Sequence, residues 1–140
     1  MGNRKTLELA LIELDGRAKS HLSTIAVFDA DDIDHFEREV LENRTTCLAV
    51  IYNGARVGTM LVTWIQEDEL ICSCNALAVD NVPGFDPVPE LVELMAEWCR
   101  ARGATRLRCW TKRRGLVHKL SAVGFDQAYV MEAEIHGRSV

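Results

Sequence analysis

Residues 45–81, "TTCLAVIYNGARVGTMLVTWIQEDELICSCNALAVDN", decide how this chain folds. They contain three apolar runs rich in β-branched and aromatic residues, the composition that strands prefer. Asn53 and Gly54 separate the first two runs and predict a hairpin turn, because both residues tolerate a positive φ. The acidic residues 67–69 mark a second turn before the third run. The segment therefore predicts an antiparallel meander of three strands.

Upstream of the meander, the apolar residues follow helical spacing. Between residues 6 and 25 they recur at steps of three and four, which predicts a helix with one apolar stripe: Leu7, Leu11, Leu14, Ala18, Leu22 and Ile25. A second helix is predicted after Phe28, with Asp29, Asp31 or Asp32 as its N-cap. The chain is thus expected to begin with two helices.

Downstream of the meander, helices and strands alternate. A helix is predicted from Glu90 to Gly103, then a strand over residues 105–112 and a short helix before Gly124. A last strand is predicted over residues 125–137. A strand that follows a helix pairs in parallel through a crossover. The predicted fold class is α/β: a mixed sheet with an antiparallel meander and parallel C-terminal strands, and helices on both faces, in one domain covering residues 1–140.

Composition excludes several classes of function. The formal net charge is −5 and the pI is about 5.4, which disfavours binding to a nucleic-acid backbone. No apolar run approaches the ~20 residues that span a bilayer, so we expect no membrane contact and a cytoplasmic protein. None of the five cysteines forms a CxxC motif, which indicates reduced thiols and no metal site. Cys74 is interpreted as a packed thiol, in preference to an acyl-accepting nucleophile.

The order of the elements, with "AEWCRARGATRLRCWT" at 96–111 and "HKLSAVGF" at 118–125, resembles the GNAT acetyltransferases. The resemblance covers residues 46–136, and Gly58 stands where this family often has a glycine after the hairpin turn. The N-terminal part resembles GNAT-like proteins of tailed phages, which often begin with a helix and a Phe-Asp turn. This likeness implies a GNAT-like sheet in which N-terminal helices replace the usual first strand.

The resemblance also implies a cofactor and a site. Acetyl-CoA would lie where the family's fourth and fifth strands diverge, and a primary amine would be the acceptor. The backbone of Ala78, Val79 and Asp80 would hold the acetyl and pantetheine parts. Asp80 or Glu69 would be the general base. The phosphates would be bound by the basic residues Lys112, Arg113 and Arg114.

The sequence departs from the family at its phosphate-binding turn, which has the form Q/R-x-x-G-x-G/A. Alignment on "RARG" at 100–103 places this motif on residues 83–88, and Asp86 and Val88 occupy its two glycine positions. Pro87 removes a backbone N–H donor from the turn. Many members use a tyrosine on the last short helix as general acid, and Leu120 stands there.

These departures favour a GNAT-fold protein with a degenerate acetyl-CoA loop, which acts by binding a protein partner. A phage accessory or virion protein is one form of this hypothesis, and virion localisation would then replace a cytoplasmic one. The alternative is an active N-acetyltransferase that transfers acetyl from acetyl-CoA to a small primary amine. Association of two copies through the N-terminal helical stripe stays open as a further prediction.

Overall fold

The computed structural model describes residues 7–25, 28–81, 83–109, 114–127 and 133. Their elements follow in the order β1 (Leu7–Leu11), α1 (Gly16–Ser23), α2 (Ala30–Leu41), β2 (Thr45–Tyr52), β3 (Ala55–Gln66), β4 (Leu70–Val79), α3 (Val88–Ala101), β5 (Arg106–Cys109) and α4 (Arg114–Ala122). The predicted last strand, over residues 125–137, falls largely outside the described residues. Across this part of the chain, no helix is long and apolar enough to cross a membrane.

The strands form one mixed sheet in the order β1-β2-β3-β4-β5. β1 to β4 pair antiparallel in sequence, and β5 pairs parallel to β4. At the β2–β3 turn, Asn53 has φ 49° and Gly54 has φ 80°, as a tight hairpin with two positive φ values requires. The predicted meander and the α/β fold class are confirmed.

The sheet buries one apolar cluster on each face. On the first face, which we call the α3 face, side chains such as Met60 and Val62 pack against Leu91 and Met95 of α3. On the opposite face, the α1/α2 face, a second cluster joins the two N-terminal helices to the sheet and contains Leu14, Ala18, Leu22, Ile33, Cys47, Leu61 and Ala76. The prediction of helices on both faces is therefore confirmed.

The prediction that helices replace the first strand is wrong. Residues 7–11 form β1, which pairs with β2 from Leu7 opposite Tyr52 to Leu11 opposite Leu48. Leu7 is 1% exposed and Leu11 is 63% exposed, so the leucines do not form one buried helical stripe. Pairing with the edge of β2 satisfies the backbone of this segment and overrides its helical spacing. The strand also removes the helical start on which the likeness to phage proteins rested.

The two N-terminal helices begin at acidic caps. Asp15 accepts a hydrogen bond from the Ala18 N–H at 2.9 Å and starts α1. Asp29 and Asp32 form a reciprocal capping box, which shows that Asp29 is the N-cap of α2. A carboxylate suits this position because the first-turn N–H groups carry partial positive charge.

Gly58 allows β3 and β4 to lie in close contact. It stands opposite Val79 in the ladder, and a Cβ added to it would lie 2.6 Å from the carbonyl oxygen of Ala78. Because the neighbouring atom belongs to the backbone, a side-chain rotation cannot relieve the overlap. The glycine that the family resemblance singled out is thus required by space, at the point where β4 reaches the candidate site.

We expect Gly58→Ala to lower the free energy of unfolding by roughly 1–3 kcal/mol, because overpacking forces the two strands apart. Gly16→Ala is the matched control, since a Cβ at Gly16 would meet no atom within 4 Å. It should leave the free energy of unfolding unchanged or raise it by about 0.4–1 kcal/mol. Urea unfolding of both variants measures the difference, and equal stabilities would contradict the steric explanation.

The free energy of unfolding should depend on pH in the acidic range because of Asp15. Hydrogen bonds from Arg56, at 2.9 and 3.0 Å, lower the pKa of Asp15 from 3.8 to about 2, and the bond from the Ala18 N–H adds to this. A folded-state pKa below the unfolded one stabilises the protein above the unfolded value. This contribution should disappear as the pH falls from 3.8 to about 2.

Unfolding of wild type and Asp15→Asn should therefore differ most above pH 4 and converge towards about pH 2. Asp68→Asn, in the exposed β3–β4 turn, removes the same charge and is the control. Wild-type and Asp15→Asn curves that stay parallel over this range would contradict the assignment.

Candidate functional site

The candidate site, which we call the opening, lies beside the part of β4 that extends past its described pairing with β5. Their ladder runs from Ile71 opposite Arg106 to Cys74 opposite Cys109, and β4 then continues to Val79. The β3–β4 register shifts at the same point, and Asn75 is the extra residue of a bulge. The bulge also changes which side chains face α3, since Cys74 packs there before it and Leu77 after it.

Beyond the bulge, one edge of β4 presents backbone groups to the opening. The Asp80 N–H donates to the Val57 carbonyl oxygen at 2.7 Å, so the peptide groups of Asp80 and Ala78 point towards β3. Because these directions alternate along a strand, the N–H and C=O groups of Leu77 and Val79 point the opposite way. Within the described residues, no strand pairs with this edge.

The predicted cofactor residues are thus brought to the opening only in part. Val79 presents its backbone there, whereas the peptide groups of Ala78 and Asp80 are turned to β3. Leu77 was not predicted, although the period-two alternation of a strand links it to Val79. The sequence does not show where the bulge lies. The position of the bulge decides which residues of β4 turn their peptide groups to the opening and which turn them to β3.

The turn before α3 is held by Asp86. One oxygen of the Asp86 carboxylate accepts a hydrogen bond from the Val88 N–H at 3.2 Å, and the other lies 3.4 Å from Lys119 Nζ of α4. The ring of Phe85 packs on Tyr52 with centroids 4.8 Å apart. The turn is therefore anchored by the chain's own groups at the helix end where the family binds a diphosphate.

Beyond the N–H group that already binds the Asp86 carboxylate, the first turn of α3 has few groups that could bind another anion. Pro87 is the N-cap, and neither it nor Pro89 has an N–H. The carboxylate of Glu90 accepts the Leu7 N–H at 3.0 Å, which ties β1 to α3. Two carboxylates therefore lie in or beside the first turn, where a helix otherwise attracts anions.

An apolar cavity of about 50 Å³ lies between α3, α4, β4 and β5. Its wall has no polar surface, and Leu120 of α4, itself buried, forms part of it. Leu120 occupies the position where many family members have a tyrosine, so this wall supplies no proton donor there. Cys74 and Cys109 form the wall on the strand side.

Sequence analysis missed His21, which connects α1 to the end of β4. Its Nδ1 lies 3.0 Å from Thr59 Oγ1, and its Nε2 lies 3.4 Å from the Asp80 carboxylate. His21 and Thr59 are buried, whereas the Asp80 side chain is 58% exposed. His21 directly precedes Leu22, which belongs to the apolar stripe of α1. This position beside the buried face was the sequence feature from which a buried His21 could have been predicted.

Glu69, the second predicted base, lies at the other end of β4 and hydrogen-bonds Arg106. The ten residues of β4 separate it from Asp80 by about 30 Å. The structure therefore does not bring the two predicted bases together. Of the predicted phosphate ligands, Lys112 and Arg113 lie outside the described residues, and α4 begins at Arg114.

Among the residues described, no group of three or more histidine, cysteine or acidic side chains is arranged to hold a metal ion.

A larger open groove of about 550 Å³ lies beside α2. Its carboxylate, Glu39, is already paired with Arg44 and lies 3.4 Å from His35.

Comparison of the sequence finds no matching protein-family model and no matching curated protein. Comparison of the structure finds acetyltransferases. A ribosomal-protein-alanine N-acetyltransferase from Brucella melitensis biovar Abortus 2308 superposes with a TM-score of 0.70 at 16% identity, covering 94% of this chain and 99% of the other.

Two other solved structures are similar over comparable lengths. A sisomicin complex of an aminoglycoside acetyltransferase from an uncultured soil metagenomic sample has a TM-score of 0.67 and 10% identity, and covers 95% of this chain and 97% of that chain. Glucosamine-6-phosphate N-acetyltransferase from Arabidopsis thaliana has a TM-score of 0.66 and 14% identity, and covers 94% and 99%. This chain therefore has the fold of the GNAT acetyltransferases.

Proposed function

We propose that this chain is a GNAT-fold protein that has lost the acetyl-CoA diphosphate site and acts by binding a protein partner. The observation that carries the proposal is the Asp86 carboxylate at the N-terminus of α3, where it accepts the Val88 N–H and pairs with Lys119. A carboxylate in this place neutralises the positive charge that the helix end and the lysine would otherwise offer to a phosphate.

Bound diphosphate would meet three obstacles at this helix end. It would have to displace Asp86 from the Val88 N–H, and it would lie close to the second carboxylate, Glu90. The prolines at 87 and 89 remove two of the N–H groups with which such a turn holds an anion. Leu120 adds to the case, because it leaves the neighbouring cavity wall without a general acid.

The second candidate function is acetyl transfer to a primary amine. It is favoured by the open edge of β4 at Leu77 and Val79, whose peptide groups would suit the amides of a pantetheine arm. Asp80 lies at the end of this edge beside His21, and the pair could accept a proton from an amine. The N-acetyltransferases among the structural neighbours also support this class.

The proposed phage origin is argued from the N-terminal segment. The Phe28-Asp29 turn before α2 is present, whereas the described part of the chain begins with β1 and not with a helix. A role as a phage accessory or virion protein therefore rests on that turn. The stripe of α1 packs on the chain's own sheet, so it does not support a homodimer through this surface.

Wild-type protein should show no rise in melting temperature with millimolar acetyl-CoA or CoA. A ligand present at 100 times its dissociation constant adds about 2.7 kcal/mol, which raises the melting temperature of a domain this size by roughly 5 °C. Differential scanning fluorimetry resolves such a rise. A saturable increase in wild type would overturn the proposal in favour of the enzyme.

The double variant Asp86→Gly/Val88→Ala tests whether Asp86 is the reason. It restores both small residues of the family turn, so we expect acetyl-CoA to raise its melting temperature by several degrees. Val88→Ala alone is the matched control and should not respond. If the double variant is folded and shows no response, Asp86 is not sufficient to explain the loss, and Glu90 or the prolines at 87 and 89 also prevent binding.

Acetyl transfer is measured separately, as release of free CoA thiol in the presence of a panel of primary amines. We expect no amine-dependent release from wild type, because the diphosphate and general-acid positions are both replaced. Amine-dependent release that Asp80→Asn abolishes would instead establish the second candidate function. Asp68→Asn is the charge-matched control in that assay, since Asp68 lies in the distant β3–β4 turn.

A further inference from the structure

Four of the five cysteines lie on the α3 face of the sheet as two neighbouring pairs. Cys72 of β4 and Cys99 of α3 pack in the same apolar cluster, and Cys74 of β4 and Cys109 of β5 line the same cavity. The fifth, Cys47, packs in the cluster of the opposite face. The proposed function uses none of these thiols.

The second pair is placed for a covalent bond. Cys74 and Cys109 are direct partners in the described part of the parallel ladder. Neighbouring strands lie about 4.8 Å apart, and disulfides join Cα atoms separated by about 4.4–6.8 Å. Both side chains line the same apolar cavity, so they already point to the same side of the sheet. Side-chain rotation, without strand movement, would bring the sulfurs together.

The two thiols differ in access and acidity. Cys109 is partly exposed, whereas Cys74 is buried. The neighbouring thiol of Cys74 lowers the pKa of Cys109. The same contact, together with burial, raises the pKa of Cys74 well above its usual value. Thiolate character and access together decide which sulfur attacks first, so Cys109 is the first nucleophile.

The other pair lacks such access. Cys72 and Cys99 are 0% and 3% exposed and do not line the cavity. A small reagent must reach a sulfur atom before thiol–disulfide exchange can begin. Cys72 and Cys99 should therefore stay reduced while Cys109 reacts.

We propose that Cys74 and Cys109 are a redox-active dithiol, which a low-molecular-weight disulfide oxidises to an intramolecular disulfide between β4 and β5. The Cys109 thiolate attacks one sulfur of the small disulfide, forms a mixed disulfide and releases one small thiol. Cys74 loses its proton, attacks the sulfur of Cys109 and releases the second small thiol. Two electrons and two protons thus leave the protein, and the small disulfide becomes two thiols.

The position of this bond gives it a consequence for the candidate site. It would join the last described pair of β4 and β5, next to the part of β4 that borders the opening. In the oxidised state the base of the opening could not widen, because the two strands would be covalently linked there. The redox state of one cysteine pair would thus control the mobility of the cavity wall.

The experiment treats reduced full-length protein with oxidised glutathione, alkylates the remaining thiols and maps disulfides by mass spectrometry. Trypsin releases Cys109 in peptide 109–112 but leaves the other three thiols of the group in peptide 57–100. A glutamate-specific protease then separates peptide 70–90, with Cys72 and Cys74, from peptide 98–100, with Cys99. Fragmentation distinguishes Cys72 from Cys74.

We expect a disulfide between peptides 109–112 and 70–90 through Cys74, and a rise in melting temperature of several degrees on oxidation. Quantitative alkylation of Cys109 after oxidation, or a link from Cys72 to Cys99, would overturn the proposal. The wild-type map decides this whether or not the variants fold.

Variants test the order of attack. Cys74→Ala should stop at the mixed disulfide and carry glutathione on Cys109, because the resolving thiol is absent. Cys109→Ala should take up no glutathione at Cys74. Cys47→Ala is the matched control, since it removes a buried thiol from the other face and should form the same disulfide as wild type. Glutathione on Cys74 of the Cys109→Ala protein would refute the assigned order.

Discussion

Within the described residues, four residue pairs hold β5 to β4, and Cys74 and Cys109 form the last of them. The candidate site depends on the course of β4 beyond this pair. There, β4 turns the peptide groups of Leu77 and Val79 to an edge that no described strand covers. The bulge at Asn75 directly follows Cys74 and resets the phase of β4. The last part of β4 therefore presents backbone groups at the candidate site.

Two groups of charged residues flank this opening, and they differ in what they leave accessible. At the start of α3, Asp86 is occupied by the Val88 N–H and by Lys119, so the charge of the helix end is already balanced. On the other face, Asp80 contacts the buried His21 but keeps 58% of its side chain exposed. An accessible carboxylate thus lies at the end of β4, whereas the charges at the start of α3 are already paired within the chain.

The sequence was most informative where local chemistry and tertiary contacts agree. Asn53 and Gly54 specify the hairpin, since few other pairs take two positive φ values without strain. Asp86, which the sequence places at a glycine position of the family's phosphate turn, accepts the Val88 N–H at the start of α3. The sequence was least informative at residues 7–11, where helical spacing and strand alternation both fit the leucines. Pairing with the free edge of β2 selects the strand over the helix. No residue within 7–11 indicates that this edge is there.

The sequence by itself determined the meander, the Asp29 cap of α2 and the absence of two glycines before α3, because each depends on short-range chemistry. The tertiary structure alone decided that Glu69 and Asp80 lie at opposite ends of one strand, and that His21 contacts Asp80. It also decided that Cys109, 35 residues beyond Cys74, becomes its partner in the ladder. These relations depend on strand register and on the bulge at Asn75, which arise only when distant segments pair.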